Sequence, residues 1–206
     1  MTNLAKIQIR EGRELHCNQV YAMELARKFF LLGDLGEANL LFELSYPQFL
    51  DKRPNEFHQR YNEMRNHQKE LEEWVFTASY FLPEEQIEKE IDVFINYLQA
   101  LADYDNEQFD STTSRFNLKY KLVESLISQH RWVDANNYLN TFSVDDYPLI
   151  YYIAKREIYV ELKKICLDDD ICNSAFTDLK EAFNNLSQDE RPYLQMAYLS
   201  YQQGQT

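Results

Sequence analysis

The sequence Gly-Asp-Leu-Gly-Glu-Ala at residues 33–38 joins a polar turn to Ala38, and a large apolar residue, Phe42, follows four positions later. The same pattern returns as His-Arg-Trp-Val-Asp-Ala at residues 130–135, with Leu139 in the place of Phe42. Small residues at helical spacing let two helices approach closely. Each stretch therefore predicts the turn and the second helix of an antiparallel helical pair.

The composition of the chain favours an all-α fold. Its 206 residues include only four glycines and five prolines, and the stretches between them are rich in residues that favour helices, such as Leu, Glu, Ala, Lys and Gln. A partial third copy of the pattern lies at Ala175, Leu179 and Ala182. The sequence thus predicts antiparallel helical hairpins stacked in an irregular array. An irregular helical bundle is the alternative.

Apolar residues recur every three or four positions along most of the chain, which predicts a series of amphipathic helices. A polar run at 65–70 leaves open whether residues 50–80 form one helix or two. Ser114 is the expected N-terminal cap of a later helix, and residues 168–170, three aspartates, are an expected connector. The helices are predicted at 4–16, 18–32, 35–44, 54–80, 83–101, 114–129, 132–142, 147–165, 172–186 and 189–203.

A polar stretch at 104–113, Tyr-Asp-Asn-Glu-Gln-Phe-Asp-Ser-Thr-Thr, is the best candidate for a long loop. We expect it to connect an N-terminal helical subdomain, 1–103, to a C-terminal one, 114–206. One continuous domain is the alternative.

The chain carries a formal net charge of −13, and the acidic residues are concentrated in two segments. Residues 84–111 hold nine acids and one base, and residues 141–190 hold eleven acids and five bases. Solvated helix faces explain such an excess, and an acidic surface that docks a basic partner is the alternative. Direct nucleic-acid binding is disfavoured, because it requires clustered Lys and Arg.

The cysteines and the hydropathy predict a cytoplasmic protein that does not contact a membrane. Three cysteines, at 17, 166 and 172, form neither an even disulfide set nor a zinc-binding spacing, so we expect reduced thiols. No apolar run follows Met1, and no stretch of about 18 apolar residues occurs.

The repeated stretches resemble the tetratricopeptide repeat, whose unit is two antiparallel helices in about 34 residues. The family places small residues in both helices, glycine at the turn, and an aromatic residue or Leu further along the second helix. Here His130 stands where glycine is expected, the two copies lie 97 residues apart (135 − 38), and residues 50–110 show no match. The residues that follow the pattern are Ala26, Phe29, Gly33, Leu35, Ala38, Phe42 and Ser45, and then Val123, Leu126, Trp132, Ala135, Leu139 and Phe142.

The resemblance implies a tetratricopeptide-like scaffold that binds a protein or peptide partner in a groove lined by the first helix of each pair. Tyrosine suits such a surface, because it offers a large area, few rotatable bonds and one polar tip. Ordinary half-buried bundle residues are the alternative interpretation. By the family's register the groove residues are Arg27, Phe30, Tyr120, Glu124, Tyr151, Lys155, Tyr159 and Tyr198.

The sequence contains no convincing catalytic, cofactor or metal motif, so we expect a protein that is not an enzyme. Glu63 and His67 share a helix face but supply too few ligands for a metal, and residues 168–170 lack the spacing of a calcium loop. Arg60 and His67 resemble, at the limit of its spacing, the Arg–His pair of the all-helical HEPN ribonucleases.

Three functions are therefore open, in descending order. The first is a non-enzymatic adaptor that binds a protein partner through a groove or an acidic face. The second is an acidic inhibitor, such as an immunity protein, an antitoxin or a phage counter-defence protein, that masks a basic nucleic-acid-binding site. The third is a HEPN-like ribonuclease that uses Arg60 and His67.

Overall fold

The computed structural model describes residues 19–47, 50, 60–105, 108–143, 147–165 and 169–187. All regular secondary structure in these ranges is helical, which confirms the predicted all-α class. None of the helices found there combines the length and the apolar character that crossing a membrane requires. The helices are α1 Gln19–Leu31, α2 Leu35–Leu44, α3 Arg60–Ala78, α4 Glu84–Asp105, α5 Ser111–Ser128, α6 Trp132–Leu139, α7 Pro148–Ile165 and α8 Asp169–Asn184.

The predicted starts of two helices, α5 and α8, are wrong. Asp110, rather than Ser114, caps α5: its carboxylate accepts hydrogen bonds from the backbone N–H of Thr113 at 3.0 Å and from the Thr113 hydroxyl at 2.5 Å. These two bonds hold the pKa of Asp110 below its ordinary value. Asp169 and Asp170 belong to the first turn of α8 and not to a connector, because acidic residues are favourable at the positive end of a helix.

The polar run at 65–70 lies inside α3, which is one continuous helix over Arg60–Ala78. The predicted loop at 104–113 is shorter in the structure, since α4 extends to Asp105 and α5 begins at Ser111. The predicted helices at 4–16 and 189–203 lie outside the described residues.

The two repeated stretches form the same turn. Gly33 and His130 both have positive φ, 79° and 60°. The N–H of Gly33 donates to the carbonyl of Phe30, and the next N–H, of Asp34, donates to Phe29, both at 3.0 Å. The same two bonds follow α5, where the N–H groups of residues 130 and 131 donate to the carbonyls of residues 127 and 126 at 2.9 Å. This pair of bonds is the Schellman motif that ends a helix on a left-handed residue.

The chain divides into two compact units, unit 1 (Met1–Ser125) and unit 2 (Leu126–Thr206), and the boundary falls inside α5. In unit 1, α1 packs against α2 and α3, and α3 packs against α4. The hydroxyl of Ser125 on α5 donates to the carbonyl of Phe76 at 2.6 Å and lies 2.5 Å from the hydroxyl of Ser79. These bonds attach the last turn of α5 to the end of α3.

Stacked aromatic rings fill the core of unit 1. Phe42, from the first repeated stretch, stacks on Phe81 and Trp74 at centroid distances of 4.5 and 5.6 Å. Phe94 of α4 meets Trp74 edge-on at 5.3 Å. The ring that follows the small residue of the stretch therefore joins α2 to α3, and Trp74 joins α3 to α4.

In unit 2, α7 packs against both α6 and α8. Ala135 of α6 and Ala175 of α8 are buried, as is Ala38 in unit 1, which agrees with the close helix contacts that the pattern predicts. Cys172 on α8 is disulfide-bonded, so the expectation of a reduced thiol is wrong at this position.

Candidate functional site

The predicted partner-binding residues fall in both units. Those in unit 1 lie on α1 and α5, those in unit 2 lie on α7, and Tyr198 lies outside the described residues. Unit 1 holds Arg27, Phe30, Tyr120 and Glu124, and unit 2 holds Tyr151, Lys155 and Tyr159.

Arg27 on α1 is held against the C-terminal half of α3. Its guanidinium donates to the Thr77 hydroxyl at 2.7 Å and to a Glu73 carboxylate oxygen at 3.3 Å. The same guanidinium lies 5.0 Å from the centre of the Phe76 ring, which is a cation–π distance. These three contacts fix Arg27 within unit 1, where only 19% of its side chain is exposed.

Glu124 on α5 belongs to the same charged region of unit 1. It forms an ion pair with Lys121 at 2.7 Å. Burial lowers the pKa of Lys121, but the carboxylates of Glu124, Glu72 and Glu73 outweigh burial and raise it above its ordinary value. Because Glu73 also binds Arg27, the predicted residues Arg27 and Glu124 are brought to one edge of α3.

The predicted aromatic residues of unit 1 pack against neighbouring rings. Phe30 meets Tyr80 and Phe81 edge-on at centroid distances of 5.6 and 5.3 Å. Tyr120 stacks in parallel on Phe116, one turn earlier on α5, at 5.9 Å. Phe30, Phe116 and Tyr120 thus make ring contacts inside the unit, and Phe30 and Tyr120 are partly exposed.

Lys155 lies at the centre of unit 2, with its side chain fully shielded from solvent. Its ammonium group donates to the carboxylate of Asp178 at 3.0 Å, to the side-chain carbonyl of Asn136 at 2.8 Å and to that of Asn140. The ammonium also lies 5.4 Å from the centre of the Tyr151 ring. This cluster joins α6, α7 and α8 and uses all the donors of the ammonium group.

The pKa shifts of Lys155, Asp178 and Tyr151 result from their burial and from the charged groups around them. Burial lowers the pKa of Lys155, and Asp178 opposes that shift only in part. Burial alone raises the pKa of Asp178, but the ion pair with Lys155 and the amides of Asn140 and Asn136 lower it below its ordinary value. Burial, with the nearby carboxylates, raises the pKa of Tyr151 to about 12. The cluster therefore holds one charged pair beside a neutral phenol at neutral pH.

Tyr159 belongs to an aromatic strip at the α7–α8 contact. The strip consists of two pairs: Tyr159 with Phe176 at a centroid distance of 5.5 Å, and Tyr152 with Phe183 at 5.7 Å. Phe176 is 51% exposed and Phe183 is 40% exposed. Each helix contributes residues seven positions apart, which places the two pairs about 10 Å from each other along the helices.

Positive side chains border the strip. Arg156 and Lys163 each lie four residues after a tyrosine of the strip on α7, Lys180 lies four residues after Phe176 on α8, and all three are exposed. Among the lysines and arginines whose side chains the structure describes, five form no hydrogen bond or ion pair. Three of them are these cations beside the strip, and the remaining two are Lys69 and Lys89. Unpaired cations are thus concentrated beside the strip, in a chain whose net charge is −13.

The sequence prediction identified Tyr159 but missed Tyr152, Phe176 and Phe183. The available signal was the seven-residue spacing of aromatic residues on two consecutive helices, because residues seven apart lie on one face of a helix. The prediction followed the register of the repeat instead. That register selects Tyr151 and Lys155, which the structure buries.

The residues named for a metal pair and for a ribonuclease, Arg60, Glu63 and His67, lie on α3. Within the described ranges, no three His, Cys, Asp or Glu side chains are grouped so that they could hold a metal ion. His67 is half-buried, and its Nδ1 lies 3.0 Å from the hydroxyl of Tyr97 on α4. Arg60 begins α3, two turns before His67, which separates their positions by about 10 Å along the helix.

Comparison of the chain with protein-family models, with curated proteins and with solved structures finds no match. The contacts and charges of the described residues therefore carry the functional proposal.

Proposed function

We propose that the chain is a non-enzymatic protein-binding module whose binding surface in unit 2 is the aromatic strip of Tyr152, Tyr159, Phe176 and Phe183. The observation that carries the proposal is the exposure of Phe176 and Phe183, 51% and 40%. Exposed aromatic residues in a continuous row, with polar residues at the rim, are typical of protein–protein contact surfaces. Large rings with few rotatable bonds also lose little entropy on binding.

The resemblance to the tetratricopeptide repeat supports the same function, because that family consists of stacked hairpins that bind peptides. The two equivalent turns at Gly33 and His130 add support for paired helices. In this proposal the strip, which includes Tyr159, replaces the buried Tyr151 and Lys155 as the contact surface. A cytoplasmic location stays a prediction. The disulfide of Cys172 argues against it, since disulfides persist mainly in oxidising compartments.

An acidic inhibitor is the second candidate, and the acidic segment at 84–111 is its proposed contact surface. Several of its acids already bind unit 1: Glu88 pairs with Lys119 at 3.0 Å, Asp92 pairs with Arg115, and Glu90 accepts a hydrogen bond from the Tyr46 hydroxyl at 2.7 Å. These contacts reduce the charge that the segment offers to a partner, and so the strip is the better-supported surface.

Site-specific photo-crosslinking tests the proposal. A photo-reactive benzoyl-phenylalanine replaces Phe176 in one variant and Leu32 in a control variant, since Leu32 is 80% exposed but lies on the α1–α2 turn in unit 1. In a native lysate, we expect the Phe176 variant to give a discrete crosslinked protein that mass spectrometry identifies and that the Leu32 variant does not give. Equal crosslinking of both variants, or crosslinking of neither, contradicts the proposal.

A further inference from the structure

The charges around the strip indicate which class of partner it binds. This inference rests on the proposed function. We infer that the strip of Tyr152, Tyr159, Phe176 and Phe183 binds an acidic amphipathic helix of a partner protein. The evidence is an aromatic row, with exposed phenylalanines and half-buried tyrosines, beside three exposed, unpaired cations, Arg156, Lys163 and Lys180.

The spacing of the strip matches the spacing of a helix. The two aromatic pairs are separated by seven residues on each of α7 and α8, which corresponds to about 10 Å. Side chains at i and i+7 of a partner helix are separated by the same distance, and those at i+3 and i+4 lie between them on the same face. A helix lying along the strip therefore places two apolar side chains on the two aromatic pairs.

The cations occupy the positions that carboxylates of such a helix would face. Arg156 lies four residues after Tyr152 and three before Tyr159, and Lys180 lies four residues after Phe176 and three before Phe183. Because α7 and α8 are antiparallel, with Tyr152 beside Phe183 and Tyr159 beside Phe176, the two cations flank the middle of the strip on opposite edges. Acidic residues on both sides of a partner's apolar stripe would therefore meet one cation each.

Four acids of α7 and α8, Glu157, Glu161, Asp178 and Glu181, do not neutralise this border. Glu161 pairs with Lys164 at 2.6 Å, and Asp178 pairs with Lys155 on the buried side of the unit. By helical register, Glu157 and Glu181 fall on other sides of their helices than the tyrosines and phenylalanines of the strip.

A single-stranded nucleic acid fits the strip less well than an acidic helix does. Base stacking requires an open ring face, whereas the rings here pair with each other at interplanar angles of 54° and 43°. The net charge of −13 also repels a polyphosphate at long range. A helix with a modest number of carboxylates gains from the local cations and contributes apolar anchors.

Peptide binding to the full chain tests the inference. The probe is a fluorescein-labelled synthetic helix with Leu at i, i+4, i+7 and i+11 and Glu at the flanking positions. A second peptide has Lys in place of every Glu, and a third is a scrambled acidic sequence that lacks the apolar stripe. In fluorescence anisotropy we expect the acidic amphipathic peptide to bind at least about tenfold more tightly than either of the others. Equal affinity for the acidic and basic peptides overturns the inference.

Variants on exposed positions locate the contact. We expect Phe176→Ser to weaken binding of the acidic peptide at least about tenfold, and Arg156→Glu with Lys180→Glu to reverse the preference toward the basic peptide. The matched controls are Leu32→Ser, which removes an exposed apolar side chain of unit 1, and Lys89→Glu, which reverses an unpaired cation of unit 1. Unchanged binding in Phe176→Ser, or an equal loss in the controls, overturns the inference.

The photo-reactive variant at Phe176 separates the other possible occupants. A crosslink to a second copy of the chain, or to residues 188–206 of the same chain, overturns the inference. A crosslink to a non-helical or basic segment of another protein also overturns it but leaves the proposed function standing. A crosslink to an acidic helix of another protein supports both. The absence of any protein crosslink contradicts the proposed function, whatever the peptides show.

Discussion

Gly33 and His130 occupy equivalent positions in two turns 97 residues apart (130 − 33), each with a positive φ and each followed by the same pair of Schellman hydrogen bonds. Glycine adopts this conformation without cost, but an L-residue with a side chain has to overcome contact between its Cβ and the backbone. The second turn therefore keeps the geometry of the first at a cost in stability. The ring of His130 lies 5.5 Å from that of Trp132, which partly offsets the cost.

Alanine substitutions at Gly33 and Gly36 distinguish the cost of backbone strain from the cost of steric crowding. A Cβ at Gly33 or at Gly36 would meet no atom within 4 Å, but only Gly33 has a positive φ. We therefore expect Gly33→Ala to lower the free energy of unfolding by about 1 kcal/mol and Gly36→Ala, in the first turn of α2, to raise it by about 0.5 kcal/mol. Denaturant unfolding followed by Trp74 fluorescence, in a Trp132→Phe background, measures both in unit 1. Equal effects would show that φ is not the cause.

We expect His130→Gly to stabilise unit 2 by about 0.5 kcal/mol, because relief of the left-handed strain exceeds the added entropy of the unfolded chain. His130→Ala keeps the strain and loses the ring contact, so it should be no more stable than the wild type. Trp132 fluorescence in a Trp74→Phe background reports on unit 2. A loss of stability in His130→Gly would mean that the contact with Trp132 outweighs the strain.

We expect the stability of unit 2 to depend strongly on both partners of its buried ion pair, Lys155 and Asp178. Lys155→Met removes the cation and leaves Asp178 with only two amide partners, so we expect a loss of about 2–3 kcal/mol in the free energy of unfolding. Asp178→Leu leaves the ammonium of Lys155, whose side chain is fully shielded from solvent, with only two amide partners, so we expect a loss at least as large. Denaturant unfolding read by Trp132 checks both variants.

A double-mutant cycle separates the pair from packing. The variant Lys155→Met with Asp178→Leu should lose at least about 1 kcal/mol less than the sum of the single variants, because each single change leaves one charge without its partner. Lys164→Met is the control, since Lys164 forms an exposed pair with Glu161 and should cost well under about 1 kcal/mol. Additive single effects would refute coupling between Lys155 and Asp178.

Because the pKa of Tyr151 is raised in the folded chain, we expect the chain to lose stability at alkaline pH. Its pKa is about 12 in the folded chain and 10.0 in its ordinary state. Between these values the unfolded chain loses the proton while the folded chain keeps it, so the free energy of unfolding falls as the pH rises above about 10. The difference in stability between wild type and Tyr151→Phe should therefore shift against the wild type from about pH 9 to about pH 11. A constant difference over that range would contradict the raised pKa.

At acidic pH, Asp178 makes stability fall as the pH is lowered, the opposite direction to the effect of Tyr151. The pKa of Asp178 is lowered in the folded chain by Lys155 and the two asparagines, despite its burial. Its contribution to stability is therefore present above the ordinary pKa of Asp, about 4, and is lost as the pH falls through the lower folded value. We expect the stability difference between wild type and Asp178→Asn to shrink below about pH 4. Urea unfolding at a series of pH values measures it.

Much of the fold follows from local sequence signals. Turn chemistry and helical periodicity place α1 and α2 within one residue of the structure, and the repeated stretch predicts both turns and the close-packed alanines at 38 and 135. The Asp110 cap was missed because Ser114, later in the same polar stretch, is also a good capping residue. Such competition is decided by the packing of the helix and not by the local sequence.

The candidate site was less predictable because burial depends on neighbouring helices. Lys155 was expected in a groove, yet the amides of Asn136 and Asn140, 15 and more residues earlier in the chain, surround its ammonium group. The strip forms only when α8 places Phe176 beside Tyr159. Neither contact has a signal in one helix alone, since each depends on the rotation of two helices about their axes.

Trp74 gives a test of the core of unit 1. It is 2% exposed, and within the described residues its indole N–H has no acceptor. An unsatisfied buried donor costs about 1–3 kcal/mol, and Trp74→Phe removes that cost while it loses part of the contact with Phe42 and Phe94. We therefore expect Trp74→Phe to change the free energy of unfolding by less than about 1 kcal/mol, and Trp74→Ala to lower it by about 3–5 kcal/mol. Circular dichroism during denaturant unfolding measures both, and a loss in Trp74→Phe close to that in Trp74→Ala would mean that the N–H is satisfied in solution.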